Sequence, residues 1–419
     1  MKLTLPNLIF ATALATLILR IVVHKYLMTS CDDQWGIIID AGSSGSRAHI
    51  FTWKEDRNND LLLSLKEVSN KKIHPGISSY STGQLAAQSL APLLLYSQEI
   101  IPKQCWSKTR LELLATAGMR LVDPQKTKQI FTGIQEYLIN SPYAFEPKQA
   151  RVVPGDEEAV FDWLSVNFAK DNFVAKNKFV GVSDLGGAST QISFEVGNGG
   201  ASKAHPGVRT VQVGAHAHSI YAVSRLHMGL YEAYKNTKTE YENEISGNSF
   251  PCQIPGNYHE CERLTKQFIN HHANKDMSKL GNTAIAPPIK PELTFYGLDN
   301  YAKLANVHFS LTRHPDSREL PPKAFVDPDM ASFQTVAKKV CAMNWYELRN
   351  LVPRKAAKDR LLQHSCFGLI YIHLLLKEVY KMENNPLIFA HSVGDIDGSW
   401  ATGAAISSFK KPVSDAQRI

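Results

Sequence analysis

The stretch WGIIIDAGSSGSRAHIFTW, residues 35–53, decides how the rest of the sequence is interpreted. Its first part, Trp35 to Asp40, is a short apolar run that predicts a buried strand. Arg47 to Trp53 alternates in the way that a returning strand does. The turn between them, residues 41–46, is made of Gly, Ser and one Ala. The pattern therefore predicts a β-hairpin whose first strand ends in the carboxylate of Asp40.

The same order of elements occurs a second time in the chain. Phe179 to Asp184 predicts a strand, LGGAS (residues 185–189) a turn, and TQISF (residues 190–194) a second strand. The two aspartates lie about one domain length apart. This diverged internal repeat indicates two similar lobes that face each other.

The segments around the repeat mix strand and helix patterns. Residues 200–291 are polar and His-rich and show little periodicity. Alternating strands and helices favour an α/β protein, here with two lobes and a cleft between them. Strands are predicted at 111–115 and 151–153, and helices at 125–138, 157–168, 331–343 and 360–382.

Composition and charge narrow the functional class. A chain of 419 residues suggests two to three domains, and 44% hydrophobic residues exclude a disordered chain. The net charge of +7 is a mild excess, which fits attraction of anionic small molecules. No run of five or more basic residues occurs, so a nucleic-acid partner is not expected.

The N-terminus predicts export from the cytosol. Leu3 to Leu19 is largely apolar, and basic residues flank it on both sides. The stretch is long for a signal peptide and short for a membrane span, so residues 1–31 are either a signal peptide or an N-terminal membrane anchor. The rest of the chain is then extracytoplasmic: secreted, periplasmic, or anchored and facing outside.

The six cysteines agree with an oxidising compartment. Two sit close together in a polar loop and two flank a helical stretch, so we predict disulfides Cys252–Cys261 and Cys341–Cys366. Cys31 and Cys105 are left over, and the sequence does not say whether they pair. No C-x-x-C occurs, which disfavours a cysteine metal site.

The Gly/Ser-rich turns predict an anion site. Successive backbone N–H groups in such a turn converge on one point, and glycine allows phosphate oxygens to approach closely. The hydroxyls of Ser43, Ser44 and Ser46 and the guanidinium of Arg47 add donors. Asp40 would repel a bare phosphate, so its place here requires a divalent cation such as Mg²⁺ between them.

Attack of water on a phosphate also needs a group that takes the proton. The segment Pro154-Gly155-Asp156-Glu157-Glu158 puts three acids at a helix start. General-base assistance typically supplies about 10²- to 10⁴-fold, but acids there also serve simply as partners of the helix dipole. The residues alone do not choose among the three acids.

Two other candidate sites are weaker. His216 and His218 alternate on one strand face, but no third metal ligand is evident. The Gly-rich residues 394–403 lack the Lys of a P-loop, which disfavours a Walker-type NTPase.

At this point the residues resemble a known family, the apyrases or nucleoside triphosphate diphosphohydrolases (ectonucleotidases) of the actin-like superfamily. The likeness runs from about residue 35 to 406. It rests on IIIDAGSSGSRAHIF (37–51), PGISSY (75–80), LLATAGMRL (113–121), GDEEAVFDWLSVNF (155–168), SDLGGASTQISF (183–194) and GSWATGAAI (398–406).

The resemblance implies a fold and an activity. The fold would be two actin-like (ribonuclease H-like) lobes with the active site in the cleft. Lobe I would be residues 33–163 with residues 392–419 returning to it, and lobe II residues 164–391. The activity would be metal-dependent hydrolysis of nucleoside tri- and diphosphates. The alternatives are another actin-like phosphohydrolase or phosphotransferase, such as a polyphosphate hydrolase or a kinase, or a binding module without catalysis.

The resemblance also implies roles for residues at matching positions. Glu158 would be the general base, and Ser189 and Gln191 would orient the water, with Thr116 beside the metal and phosphates. Asp40 and Asp184 would hold hydrated Ca²⁺ or Mg²⁺, with Trp400 nearby. The phosphate-binding residues would be Gly42, Ser43, Ser44, Gly45, Arg47, Gly186, Gly187 and Ala188.

The chain departs from the family's pattern at several positions. Ala159 and Asp162 stand where the family commonly has Gly, and Thr402 replaces a Leu. The segment FYGLDNY (295–301) resembles only loosely the family's segment that carries a base-stacking aromatic ring. We take Tyr301 from this segment, and Arg360 from later in the chain, as the nucleobase contacts. Base preference is therefore left open.

Overall fold

The computed structural model describes the chain from Cys31 to Phe409 with short gaps. The predicted signal peptide or anchor, apart from Cys31, and residues 410–419 lie outside the described residues. The described residues are 31–42, 44–54, 62, 64–175, 178–197, 205–245, 248–277, 286–312, 324–327, 330–382, 384–394, 396–397 and 399–409.

The first Gly/Ser-rich segment forms a hairpin at the centre of a sheet. In this sheet β1 is antiparallel to β2 and parallel to β4, and the strand order is β3-β2-β1-β4-β5. The register places Asp40 opposite Arg47. The strands are β1 (Asp33–Ala41), β2 (Ser46–Lys54), β3 (Lys66–Ile73), β4 (Arg110–Ala115) and β5 (Ala150–Val152).

The apolar run in β1 is continuous because both faces of the sheet are covered. Successive side chains in a strand point to opposite faces. Ile37 and Ile39 accordingly pack into one hydrophobic cluster and Ile38 into another, and all three are buried. This burial fixes the register, and with it the position of Asp40 at the strand end.

The second Gly-rich segment forms the matching hairpin of a second sheet. Its central strands, in the order β9-β7-β6-β10-β12, have the same relative directions as the first sheet, and β8 and β11 extend the edges. The predicted internal repeat is thus seen in the topology. The strands are β6 (Gly181–Leu185), β7 (Ser189–Glu195), β8 (Val208–Val213), β9 (His216–Leu226), β10 (Phe295–Asp299), β11 (Ala324–Asp327) and β12 (Leu387–Ala390), followed by a small ribbon of β13 (Ser392–Val393) and β14 (Ile396–Asp397).

Helices cover both sheets, and the predicted α/β class is confirmed. They are α1 (Gly83–Ser89), α2 (Ala91–Ile100), α3 (Ala117–Arg120), α4 (Pro124–Ile139), α5 (Gly155–Ala169), α6 (Asn172–Ala175), α7 (Leu230–Glu244), α8 (Tyr258–Met277), α9 (Asn300–Thr312), α10 (Met330–Ala342), α11 (Trp345–Leu351), α12 (Asp359–Gln363), α13 (Ser365–Leu374), which continues as a π-turn to Val379, and α14 (Ala401–Ser408).

The end of the described chain returns to the first sheet. Helix α14 packs on α5 and β1, and the Gly403 N–H donates to Ser165 Oγ at 2.7 Å. Phe409 stacks on Trp53 of β2 with ring centroids 5.0 Å apart. The boundary that we expect between the lobes, at residues 163 and 164, falls inside α5, which also packs on β6, β7 and β9. That boundary stays a prediction.

Three disulfides join the six cysteines. The two predicted ones, Cys252–Cys261 and Cys341–Cys366, are present, and Cys31 pairs with Cys105. Among the helices of the described residues, none has the length and apolar character needed to cross a bilayer.

The polar region from residue 200 to 291 contains more structure than its pattern indicated. It forms β8, β9, α7 and α8. Helix α7 buries Leu230, Ala233, Thr237 and Tyr241, a narrow stripe in which Ala and Thr give little hydrophobic signal. His218 is buried and lies 2.8 Å from a carboxylate oxygen of Glu195, packed among aromatic rings that include Trp163.

Candidate active site

The two hairpins bring their aspartates to one cleft. Asp40 ends β1 and Asp184 lies near the end of β6. The negative charge of Asp40 acts on Asp184, and that of Asp299, at the end of β10, acts on both. Glu158 and Asp162, one helical turn apart on α5, belong to the same group. Five carboxylates from both halves of the fold therefore meet here.

Burial of these acids disfavours their charged forms. It raises the pKa of Asp40 to about 6, despite the neighbouring basic side chains of His49 and Arg47. It raises the pKa of Glu158 to about 7, despite the guanidinium of Arg120. The pKa of Asp184 is also raised, first by burial and then by the charge of Asp299. A cluster of this kind favours a bound cation, which would offset its negative charge.

Glu158 lies in a network with the second hairpin. Its carboxylate is paired with Arg120, and the Gln191 side-chain nitrogen lies 3.2 Å from the same oxygen. That nitrogen is also 2.8 Å from Ser189 Oγ and 2.9 Å from Ser224 Oγ. Gln191 Oε1 is buried and has no partner among the described residues, so it is placed to accept a hydrogen bond from a water. The three predicted residues Glu158, Ser189 and Gln191 are therefore together.

The other two acids of the segment lie outside this network. Asp156 forms an ion pair with Arg209, and Glu157 forms a two-pronged pair with Arg151 at 2.8 and 2.6 Å. Both are partly exposed, whereas Glu158 is only 5% exposed. Of the three acids, Glu158 is the one that faces the cleft.

The first turn is held tightly against β3. A Cβ on Gly45 would lie 2.3 Å from the Ile73 carbonyl oxygen, so glycine is required there for lack of space. The Ser44 carbonyl lies 2.6 Å from the ring Nδ1 of His74. Arg47 lies opposite Lys72 in the register, and the positive charges of both side chains favour the ionised form of Asp40. The predicted Gly42, Ser44, Gly45 and Arg47 thus lie at this turn beside a second cation; Ser43 lies outside the described residues.

The second turn is held by helix α7. The carbonyls of Gly186 and Gly187 accept hydrogen bonds from the N–H groups of Leu230 and Tyr231 at 3.0 and 3.1 Å. A Cβ on Gly229 would lie 2.3 Å from the Ala188 backbone nitrogen. The predicted Gly186, Gly187 and Ala188 therefore lie on a turn whose support comes from a segment about 40 residues later in the chain.

Thr116 and Trp400 each contact a residue that is next in the chain to one of the acids. The Thr116 N–H donates to the carbonyl of Ala41, the residue after Asp40, at 3.3 Å, and its side chain is buried. Trp400 is the N-cap residue of α14, and its ring stacks on that of Phe161, the residue before Asp162, with centroids 6.1 Å apart. The parts that we assign to them in the reaction stay predictions.

The prediction for Tyr301 as a nucleobase contact is wrong. Its ring is fully buried, and its hydroxyl lies 3.2 Å from Ser183 Oγ beneath the second sheet, so it has no free face for a base. Arg360 is exposed and lies over the ring of Tyr231, with the guanidinium carbon 4.1 Å from the ring centroid. Tyr231, at the start of α7, is thus the partly exposed aromatic ring beside Arg360.

The residues present fit a hydrated divalent cation. Asp40 Oδ1 and Asp162 Oδ2 are buried atoms that lack a hydrogen-bond partner among the described residues. Within that part of the chain, no three or more His, Cys, Asp or Glu side chains are arranged to hold a metal ion directly. Carboxylates that contact the ion through its water ligands, as Mg²⁺ sites commonly do, satisfy both observations.

Comparison with known proteins agrees with this geometry. The profile of the GDA1/CD39 (nucleoside phosphatase) family matches residues 26–256 and 236–417. The chain belongs to this family. It is 27% identical over 407 residues to a nucleoside-triphosphatase of Pisum sativum, covering 89% of this chain and 88% of the relative. It is 26% identical over 397 residues to ectonucleoside triphosphate diphosphohydrolase 5 of Gallus gallus, covering 88% and 86%.

A solved structure supports the fold assignment of this GDA1/CD39 family member. The Ppx/GppA family member of Aquifex aeolicus superposes with a TM-score of 0.53 at 15% identity, covering 90% of this chain and 98% of that one. Together with the repeated strand order, this likeness confirms the predicted actin-like architecture.

Several side chains in the site of this family member escaped the sequence reasoning. Arg120 lies in the motif LLATAGMRL (113–121), and its position there is the sequence signal that points to the site. Asp162 was noted only as a departure from a motif. Lys303 forms an ion pair with Asp299 in the cleft, and nothing in the local pattern distinguishes that pair from a surface pair. The others are Lys72, Ser224 and Tyr231.

Proposed function

We propose that the protein hydrolyses the terminal phosphates of nucleoside tri- and diphosphates to yield the monophosphate. The observation that carries this proposal is the network that joins Glu158 to Ser189 and Gln191 of the second hairpin, in the cleft where Asp40 and Asp184 also lie. The names of the relatives from Pisum sativum and Gallus gallus support the same substrate class. Polyphosphate hydrolysis is the alternative that the test below includes.

In this proposal the first hairpin binds the phosphate that leaves. The N–H groups of Gly42, Ser44 and Gly45, together with Ser43, would bind the phosphate oxygens, Arg47 would neutralise their charge, and the turn at Gly186, Gly187 and Ala188 would close the opposite side. Such positioning and charge neutralisation are the main contributions that proteins make to phosphoryl transfer. The basic character around Asp40 supports this assignment, since Arg47 and Lys72 both act there.

The acids would hold a Mg²⁺ or Ca²⁺ ion between the hairpins. Asp40 and Asp184 would contact it through water, with Trp400 and Thr116 nearby. The bound ion would withdraw negative charge from the phosphate oxygens. The unpartnered Asp40 Oδ1 and the shared negative charge of Asp40 and Asp184 support this assignment.

Glu158 would take the proton from the attacking water. Ser189 Oγ and Gln191 Oε1 would orient that water, since both residues lie at the start of β7, and the Gln191 side chain contacts the Glu158 carboxylate and Ser189 Oγ. A general base works best when its pKa is near the operating pH, and burial raises the pKa of Glu158 to about 7. Arg120 keeps the carboxylate oriented through their ion pair.

We also propose an extracytoplasmic location and a base contact at Arg360. Three disulfides within the described chain suit an oxidising compartment. The residues 1–31 would direct export or attach the protein to a membrane. The exposed guanidinium of Arg360, stacked on Tyr231, offers a flat surface on which a base can lie.

The test is a phosphate-release panel on the purified full chain. Nucleoside triphosphates, nucleoside diphosphates and inorganic polyphosphate are each assayed with Ca²⁺, with Mg²⁺ and with excess EDTA. We expect release from both nucleotide classes with a cation and none with EDTA. A Glu158→Gln preparation controls for contaminating phosphatases. Release from polyphosphate alone, or release that EDTA does not affect, would contradict the proposal.

A further inference from the structure

Asp162 is an acid of the cleft to which the mechanism above gives no part. It lies one helical turn after Glu158 on α5, so the two side chains are on the same face of the helix. Its side chain is almost completely buried, with 1% of the residue exposed. Its Oδ2 atom has no hydrogen-bond partner among the described residues. A buried charge without a partner is costly and requires a reason.

The surroundings of Asp162 differ from those of the other acids. The groups that act most strongly on it are four carboxylates, first that of Asp184 and then those of Glu158, Asp40 and Asp299. Each of these influences disfavours its charged form.

The neighbouring acids each have a cation that offsets part of their charge. Asp40 has Arg47, Glu158 has Arg120, and Asp184 has Lys303. Within the described residues, the charged groups that act most strongly on Asp162 are all carboxylates. None of these strongest neighbours offsets its negative charge.

We propose that Asp162 is a third carboxylate of the metal site, which accepts a hydrogen bond from a water ligand of the hydrated cation. The inference rests on the proposed function, because it assumes that the cation lies between Asp40 and Asp184. Contact through water agrees with the finding that the described acids are not arranged for direct three-ligand binding. The unpartnered Oδ2, next to Asp184, supplies the acceptor.

A different role would be a purely structural one. In that case Asp162 would be a permanently protonated acid whose hydroxyl bonds to a neighbouring carboxylate, and its loss would weaken the fold. The two roles differ in what the isosteric amide does, because Asn removes the negative charge but keeps the shape and a hydrogen-bond donor.

The test is Ca²⁺ binding to the nucleotide-free full chain by isothermal titration calorimetry. We expect Asp162→Asn to raise the Kd for Ca²⁺ by about 10- to 100-fold, the usual range for outer partners of a metal site. The matched control is Asp156→Asn, on the same helix but paired with Arg209, which should leave the Kd unchanged. Thermal unfolding in excess EDTA is the second measurement, and there Asp162→Asn should unfold at or above the wild-type temperature.

Each result either supports or overturns the inference. Equal Ca²⁺ affinity in wild type and Asp162→Asn would overturn it while leaving the metal site of the proposed function intact. If Asp156→Asn weakened Ca²⁺ binding equally, the effect would come from the loss of any negative charge on α5, and this result would also overturn the inference. A lowered unfolding temperature in EDTA, or failure of Asp162→Asn to fold, would assign the carboxyl to the fold instead. Absence of Ca²⁺ binding by wild type would contradict the metal site and the inference together.

Discussion

The two Gly/Ser-rich hairpins share a strand plan, but their surroundings differ in charge and in support. Around Asp40 the basic side chains His49, Arg47 and Lys72 dominate. Around Asp184 the strongest charges are the acids Asp299 and Glu158, and Lys303 is the main basic group among those that act on it.

Under the proposed function, this difference in charge assigns different parts in the reaction to the two hairpins of the repeat. A basic turn suits the phosphate, which carries the substrate's negative charge. An acidic hairpin that carries Ser189 and Gln191 suits a cation and an activated water. Changes around the first hairpin should therefore affect substrate binding most, and changes around the second should affect the chemical step most.

The largest expected effect is that of Glu158→Gln, beside the second hairpin. The amide keeps the shape of the side chain but cannot take a proton, so kcat should fall by about 10²- to 10⁴-fold. Nucleotide binding should persist, because the first hairpin is untouched. Phosphate release and equilibrium binding of a non-hydrolysable triphosphate measure the two quantities separately.

Arg47→Gln supplies the contrast at the first hairpin. It removes a cation beside Asp40 and should raise KM much more than it lowers kcat. If Glu158→Gln retained near-normal turnover, Glu158 would not be the base. If the two variants changed kcat and KM in the same proportions, the division of labour between the hairpins would be disproved.

Local patterns were enough to predict the hairpins and their aspartates. The apolar run 37–39 and the Gly/Ser turn are short-range features, and burial of both sheet faces makes them unambiguous. Lys72, Asp299 and Lys303 could not be predicted in this way, because they reach the cleft only when β3 and β10 join their sheets.

The error at Tyr301 has a related cause. An aromatic residue after a strand has the same pattern whether it packs in the core or stacks on a ligand. Here the first turn of α9 faces the second sheet, which buries the ring completely. The partly exposed ring, Tyr231, lies about 70 residues earlier, at the start of α7, in a region where weak periodicity hid the helix.

The next effect is a pH dependence set by Glu158. Burial raises its pKa from 4.5 to about 7, so the active, deprotonated base forms as the pH rises through about 7. With saturating cation, kcat should therefore increase up to about pH 7 and then level off. Between about pH 4.5 and 7 the Glu158 carboxyl is protonated in the folded protein but ionised in the unfolded chain. The contribution of Glu158 to the free energy of unfolding therefore decreases as the pH rises through this range.

Replacement of Arg120 tests whether Glu158 is the group whose ionisation produces the rising limb of the pH profile of kcat. Arg120 lowers the pKa of Glu158, so Arg120→Gln should move the rising limb to higher pH. Arg120→Lys retains the charge and is the control, with a smaller displacement. A limb that stays in place in both variants would show that another group controls the rate. Profiles of kcat against pH measure the displacement.

The smallest effects are expected from glycine substitutions in the two turns, which test how each turn is supported. Gly45→Ala would force a Cβ to within 2.3 Å of the Ile73 carbonyl oxygen, whereas the Cβ of Gly186→Ala would lie 3.2 Å from its nearest neighbour, the Ser189 carbonyl oxygen. We expect Gly45→Ala to lower the free energy of unfolding by about 1–3 kcal/mol, and Gly186→Ala to change it by less than about 1 kcal/mol. Thermal or urea unfolding measures both.

Gly229→Ala extends this comparison to the second turn. Its Cβ would lie 2.4 Å from the Ser189 backbone nitrogen, so the turn that carries Ser189 must shift. Because that shift displaces Ser189 and its partner Gln191, kcat should fall together with stability, whereas Gly186→Ala, whose Cβ meets no atom closer than 3.2 Å, should lower kcat by less. Equal effects of Gly186→Ala and Gly229→Ala would mean that the second turn keeps its shape without support from α7. Helix α7 would then not position the residues that orient the water.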